Sequence, residues 1–207
     1  NELSKLRKDY TARTLEREHL NKDPFEQFKG WFDQALISEA EASAMTLATA
    51  SPKGKPSART VLLKGLDHES FIFYTNYMSP KGRDLEVNPH AALLFFWPML
   101  EQQIRVSGLT EKVSREQSES YFASRPKASQ IGAVLSTQSS VIESRDVLLE
   151  KQSELERQDL IECPEYWGGY RLLPDTFEFW QGRPGRLHDR FQYTLDIQGW
   201  KIERLAP

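Results

Sequence analysis

Met45-Thr46-Leu47-Ala48-Thr49-Ala50, Ser51-Pro52-Lys53-Gly54-Lys55-Pro56 and Ser57-Ala58-Arg59-Thr60-Val61-Leu62-Leu63-Lys64 follow one another without a break. Two runs of strand-forming residues flank a turn rich in proline, glycine and lysine, a pattern that predicts a β-hairpin. More strands follow at short spacing. Residues 71–75 predict a third strand after the polar Asp67-His68-Glu69-Ser70 turn, and residues 91–97 and 102–113 an antiparallel pair around Pro98. Near the end, residues 167–172, 176–181, 188–194 and 199–204 predict four more. Strands outnumber helices and do not alternate with them, so a β-barrel with helices packed around it (mainly β, α+β) is expected rather than βαβ units.

The helices have readable starts. Asp23 as N-cap, Pro24 at the first position and Glu26 completing a capping box predict a helix to about residue 40. Phe25, Phe28, Trp31, Phe32, Ala35 and Leu36 give it an apolar face. Ser79 caps a short helix over 80–87, and Ser114 with Gln117 heads one ending near residue 124. Shorter helical patterns cover 129–135 and 142–157. Residues 1–22 are polar, with Leu3, Leu6 and Tyr10 at the spacing of a short amphipathic helix, and read as an arm. Residues 23–207 read as one domain.

The bulk numbers exclude several classes. A chain of 207 residues with 39% hydrophobic and 28% charged residues is long enough for a sizeable core. Its formal net charge of −3 argues against a general nucleic-acid or membrane-surface role. Cys163 is the only cysteine, so no intrachain disulfide forms; followed by Pro164, it reads as structural. No apolar run approaches membrane-spanning length. The chain begins at Asn1 without a signal-peptide pattern, and a cytoplasmic location is expected. No metal-ligand spacing, dinucleotide fingerprint, P-loop or serine elbow is present.

What remains is an abundance of anion-binding candidates in an acidic chain. Arg59 and Lys64 bound a strand, with opposite parity unless a bulge intervenes; plain surface placement is the alternative. Tyr74-Thr75-Asn76 runs toward Ser79-Pro80-Lys81-Gly82-Arg83, where hydroxyls and a lysine meet a helix N-terminus. Tyr121 and Arg125 share a helical face at i and i+4, and Ser129 can head the next helix. Gln138-Ser139-Ser140 adds neutral donors. Finally, Phe179-Trp180-Gln181-Gly182 leads through a Gly/Pro turn to Arg186-Leu187-His188-Asp189-Arg190. If that run is extended, Arg186, His188 and Arg190 form one basic row; an edge strand with Asp189 paired to a neighbouring arginine is the alternative.

These motifs, in this order, resemble the pyridoxine/pyridoxamine 5′-phosphate oxidase family of split-barrel flavoproteins, over nearly the whole chain. The resemblance implies a split β-barrel of the FMN-binding type and a homodimer with FMN at the subunit interface. It implies FMN contacts from Arg59, Val61, Leu62, Lys64, Tyr74, Thr75, Lys81, Gln103, Gln138, Ser139, Trp180 and Arg190. It assigns the substrate phosphate to Lys64, Tyr121, Arg125 and Ser129, the catalytic face of the pyridine ring to Arg186 and His188, and a covering arm to Arg7 and Tyr10. The implied reaction oxidises pyridoxine or pyridoxamine 5′-phosphate to pyridoxal 5′-phosphate with O2, releasing hydrogen peroxide, and ammonia from the amine. No metal, nucleic acid or membrane is implied. Another split-barrel flavoprotein with a different substrate, or a non-catalytic binder of FMN or pyridoxal phosphate, are the rival readings. One position departs from the family: an arginine commonly precedes the lysine matched by Lys81, and here that residue is Pro80.

Overall fold

The computed structural model describes residues 2–5, 9–135 and 138–207. Among these residues nine strands build one curled antiparallel sheet, with five α-helices around it. In chain order these are α1 (Pro24–Ser38), β1 (Ala44–Ala50), β2 (Pro56–Leu62), β3 (Gly65–Leu66), β4 (Phe71–Asn76), α2 (Pro80–Val87), β5 (His90–Trp97) and β6 (Gln102–Lys112). Then come α3 (Arg115–Ser124), α4 (Lys127–Leu135), α5 (Asp146–Glu156), β7 (Trp167–Gln181), β8 (Asp189–Asp196) and β9 (Gly199–Arg204). The strand order is β2-β1-β5-β6-β7-β4-β3, with β8 on β7 and β9 on β8. The expected α+β architecture is the one observed.

Strand β7 explains the curl. Residues 167–172 and 176–181 form one continuous strand rather than two, because each half has a different second partner. Trp167 to Leu172 pair with β4, and Thr176 to Gln181 pair with β8. Strand β6 runs along both halves, with its register shifted between Ser107 and Gly108. At that bulge a Cβ on Gly108 would lie 2.0 Å from the Leu173 carbonyl oxygen, so only glycine fits.

The aromatic face of α1 fills the sheet's concave side. Phe28 meets Phe71 edge-on at 4.8 Å and Phe95 at 5.0 Å, and Trp31 meets Phe179 at 5.3 Å. Phe28, Phe71, Phe95, Phe177 and Phe179 are fully buried, each contributing about 2–3 kcal/mol on burial. The cap of α1 differs from the expected box. Asp23 accepts from the Phe25 amide at 2.8 Å, while Glu26 turns outward to Lys29 at 2.6 Å. Ser114 does accept from the Gln117 amide at 3.1 Å. Helix α4 begins at Lys127, two residues early, which puts Ser129 in its first turn. Helix α5 begins only at Asp146, whose amide donates to the Ser144 hydroxyl at 3.2 Å, a local bond that competes with an earlier start.

In the N-terminal arm a 3-10 turn spans Glu2–Lys5 and Tyr10 lies in irregular chain; the middle of the expected amphipathic helix, residues 6–8, lies outside the described residues. Leu15 is buried in the main core. No helix of the described residues is long and apolar enough to cross a membrane.

Candidate functional site

A cavity of about 620 Å3 opens where β2, β4, α2, the α3–α4 junction and residues 138–139 converge. From β2 and the residues after it come Arg59, Val61, Leu62 and Lys64; from β4 and α2 come Tyr74, Thr75 and Lys81. Tyr121, Arg125 and Ser129 come from α3 and α4, with Gln138 and Ser139 from the loop beyond. Twelve residues named from sequence thus share one cavity. The parity conflict between Arg59 and Lys64 disappears because the chain changes partners between them. Leu63 donates to Ser43 O at 2.9 Å, on the β1 side, and Lys64 to Ile72 O at 2.8 Å, on β4.

Among the described residues the lining carries four cations, Arg59, Lys64, Lys81 and Arg125, and no carboxylate. Lys81 is buried and donates only to neutral oxygens, Gln138 Oε1 at 2.8 Å and Ser79 Oγ at 3.3 Å. Burial, and then the neighbouring Arg59 charge, pull its pKa below the usual lysine value. Burial likewise lowers Arg59, against the pull of Asp84 in the opposite direction. Arg59 donates to Thr49 Oγ1 at 2.9 Å and to Leu47 O at 3.1 Å, and Thr49 in turn donates to Asp84 at 2.8 Å.

On the far wall the Tyr74 and Tyr121 rings stack at 3.8 Å, with Trp167 continuing the stack at 5.4 Å from Tyr74. The Arg125 guanidinium lies 4.9 Å over Trp167, and its buried Nη1 has no hydrogen-bond partner. Burial lowers the Arg125 pKa and raises those of Tyr121 and Tyr74. A desolvated cation with an unused donor is the complement of an anion.

The remaining candidates form a second cluster, outside this cavity. Gln103, Trp180 and Arg190 are direct cross-strand partners on β6, β7 and β8, beside the exposed Phe96 of β5. Tyr10 stands edge-on to Trp180 at 5.6 Å and to His188 at 5.8 Å; His188 lies 4.6 Å from Trp180. The basic row of Arg186, His188 and Arg190 is not formed. Arg186 closes a 3-10 turn (Pro184–Arg186) with a left-handed φ of 63°, and the strand starts only at Asp189. Asp189 does pair with a neighbouring arginine, Arg204, at 2.9 Å. Arg190 donates to Glu178 at 2.8 Å and to Ala206 O at 2.7 Å. His188 Nδ1 accepts from the Arg183 amide at 3.1 Å. Burial and the Arg186 charge push its pKa below the usual histidine value, opposed by Asp189. Arg7 lies outside the described residues.

Pro80 is exposed at the first turn of α2, and Arg83 is exposed and absent from the cavity wall. Trp167 lines the cavity without having been singled out from sequence. Its signal was the pair of glycines after it: a Cβ on Gly169 would lie 2.9 Å from the Tyr74 ring, a close approach that glycine permits. Cys163 is half-buried, with its thiol pKa raised by burial.

Comparison with known proteins completes the picture. Residues 33–157 match the family model described as pyridoxamine 5′-phosphate oxidase, and residues 167–207 match the pyridoxine 5′-phosphate oxidase C-terminal dimerisation region. The chain is 53% identical over 213 residues to the pyridoxine/pyridoxamine 5′-phosphate oxidase of Crocosphaera subtropica, covering 100% of both chains. It is 51% identical to that of Burkholderia thailandensis, covering 99% of both. Among solved structures, PhzG from Burkholderia lata, in complex with tetrahydrophenazine-1-carboxylic acid, matches with a TM-score of 0.91 at 29% identity, over 97% of this chain and 100% of that one. A pyridoxamine 5′-phosphate oxidase-related, FMN-binding protein from Nostoc punctiforme shares the fold, with a TM-score of 0.74 at 19% identity, over 91% and 100% of the two chains. On its sequence matches over both segments and its full length, the chain belongs to the pyridoxine/pyridoxamine 5′-phosphate oxidase family of enzymes.

Proposed function

We propose that the cavity holds FMN and that the protein oxidises pyridoxine or pyridoxamine 5′-phosphate to pyridoxal 5′-phosphate. Dioxygen is the terminal acceptor, leaving as hydrogen peroxide; the amine substrate also consumes water and releases ammonia. The observation that carries this reading is the four-cation, carboxylate-free lining in a chain of net charge −3. Two phosphate monoesters, one on the cofactor and one on the substrate, need that concentration of positive charge.

The residues fit the group. Arg59, Lys64, Lys81, Thr75, Gln138 and Ser139 would hold FMN through its phosphate and polar edges, and Val61, Leu62 and Tyr74 would bound it. Tyr121, Arg125 and Ser129 would take the substrate phosphate, filling the unused Arg125 donor. When bound, FMN supplies the two-electron acceptor that the side chains lack. The protein's part is to fix both phosphates, so that the reacting carbon is oriented by remote binding.

Gln103, Trp180, Arg190, Arg186, His188 and Tyr10 form a separate group, with four of the six in the segment that matches a dimerisation region. In our reading the protein is a homodimer, and this cluster of one protomer completes the cavity of its partner. Residues 1–22, Arg7 and Tyr10 among them, act as the covering arm of the single domain 23–207. His188 has a defined role there. Its Nδ1 accepts from the Arg183 amide, so the neutral ring carries its proton on Nε2 and presents a donor to the substrate. Arg186 adds fixed positive charge. The free thiol of Cys163 suits a reducing, cytoplasmic setting.

The test is direct. The purified protein is examined for flavin absorbance, then given pyridoxine 5′-phosphate in air. Pyridoxal 5′-phosphate and peroxide are expected. Bound flavin without turnover would identify a binder, and flavin turnover only with another substrate a different split-barrel enzyme.

A further inference from the structure

Three non-glycine residues among those described have left-handed backbones: Ser139 (φ 70°), Arg186 (φ 63°) and Glu101 (φ 55°). Such a conformation disfavours any residue with a Cβ, and it persists where surrounding structure requires that side chain. Ser139 and Arg186 belong to the two clusters already described. Glu101, in the turn between β5 and β6, has no role in either.

Its contacts define one. Glu101 is buried, and one carboxylate oxygen, Oε2, accepts from the Thr11 amide at 2.7 Å and the Ala12 amide at 2.9 Å. Its carbonyl oxygen accepts from the Gly182 amide at 2.8 Å and from Gln181 Nε2 at 3.1 Å. Gly182 lies directly under the Tyr10 ring, where an added Cβ would come within 2.6 Å of Cγ. One residue therefore binds the arm by its side chain and the floor beneath Tyr10 by its backbone. Further along the arm, the Leu15 amide donates to Asp189 Oδ2 at 3.1 Å and Arg183 Nη1 to Arg13 O at 3.3 Å. Of these contacts, those to Glu101 involve the residues that directly follow Tyr10.

We propose that Glu101 is a positioning residue: by capturing the Thr11 and Ala12 amides it seats Tyr10 against Trp180 and His188 and so shapes the substrate side of the site. This rests on the oxidase reading above for its kinetic consequence, but its structural half does not. Glutamine keeps an oxygen that can accept both amides, and alanine does not. Glycine relieves the left-handed backbone while removing the carboxylate, which separates strain from capture.

The experiment compares Glu101→Ala, Glu101→Gly and Glu101→Gln with the wild-type protein. Hydrogen exchange at residues 11–12 and tryptic cleavage at Arg13 report arm seating without reference to activity. KM for pyridoxine 5′-phosphate, kcat, flavin content and Tm are then measured. Alanine and glycine are expected to lose amide protection and to raise KM about tenfold with flavin content unchanged, the glycine variant keeping or gaining Tm. Glutamine is expected to restore both readouts. Unchanged exchange in Glu101→Ala, a glutamine variant no better than alanine, or a released arm with unaltered KM would overturn the proposal. Failure of the oxidase reading is distinguishable, because wild-type turnover would then be missing while the exchange comparison still decides the capture.

Discussion

The ammonium of Lys81, in the first turn of α2, donates at 2.8 Å to Oε1 of Gln138, which also accepts from Thr75 Oγ1 at 3.3 Å. Three separate parts of the chain thus meet at one amide oxygen, beside a buried cation with no carboxylate among its hydrogen-bond partners. Lys81→Met is expected to weaken FMN binding about tenfold to a hundredfold, the range for a lost charged hydrogen bond. Gln138→Ala should cost less, since it removes a neutral partner. Flavin fluorescence titration checks both, and a Lys81→Met protein that binds FMN at wild-type strength would contradict the assignment.

Pro80 precedes that lysine and is exposed, and the next cation in the helix, Arg83, is exposed and not part of the cavity wall. Pro80→Arg is therefore expected to tighten FMN binding, about tenfold if one charge-assisted bond forms. Turnover at saturating flavin should hold steady. An affinity unchanged or weakened would show that the position does not reach the cofactor.

Arg125 lies over Trp167 with Nη1 buried and unpartnered. Arg125→Met should raise KM for the phosphorylated substrate about tenfold or more, with flavin content intact. It should also raise the Tm of the ligand-free protein, because a desolvated donor costs about 1–3 kcal/mol. Arg125→Lys should not rescue KM, having neither the planar fork nor the ring stacking. Steady-state kinetics and thermal melts read the two effects separately.

Burial and Arg186 hold His188 below its ordinary pKa of 6.5, so the folded protein keeps the ring neutral at pH 7. The sign follows: as pH falls through 6.5 the unfolded chain takes up this proton first, and the folded state loses that much stability. For catalysis, kcat/KM should fall on the acid side with an apparent pKa below 6.5. That limb should disappear in His188→Asn. A pH–rate profile unaffected by the substitution would remove His188 from the reaction.

Arg186 has a left-handed backbone and an exposed side chain. Arg186→Gly is expected to leave stability unchanged or raise it by up to about 1 kcal/mol, read by thermal melts, while kcat/KM falls at least about tenfold. Turnover left intact would refute its place at the ring.

Local pattern carried much of this molecule. Alternation and turn residues located the hairpin 45–64 and most other strands, and Ser79 and Ser114 marked helix starts, because these depend on neighbours a few residues away. The motif residues from Arg59 to Ser139 were legible as candidates from their chemistry, and the fold brings them to one cavity. Other features were not local. The single strand β7 looked like two because its irregularity opposite Ser107 and Gly108 coincides with a change of second partner from β4 to β8, which no window of sequence contains. The supposed row of Arg186, His188 and Arg190 failed because Gly185 and Arg186 take left-handed conformations and close a turn. The opposite parity of Arg59 and Lys64 was harmless for the same kind of reason, a switch of strand partner at Leu63 and Lys64. Sequence alone determined which residues were candidates for a phosphate and where most of the strands would lie. Only the tertiary structure decided that four cations share one carboxylate-free cavity, that Trp180 and His188 stand apart from it under Tyr10, and that Glu101 joins that cluster to the arm. Those relationships depend on contacts between residues far apart in the chain, 90 positions for Thr11 and Glu101 and more for Tyr10 and His188, where the curl of the sheet, not chain proximity, sets the distance.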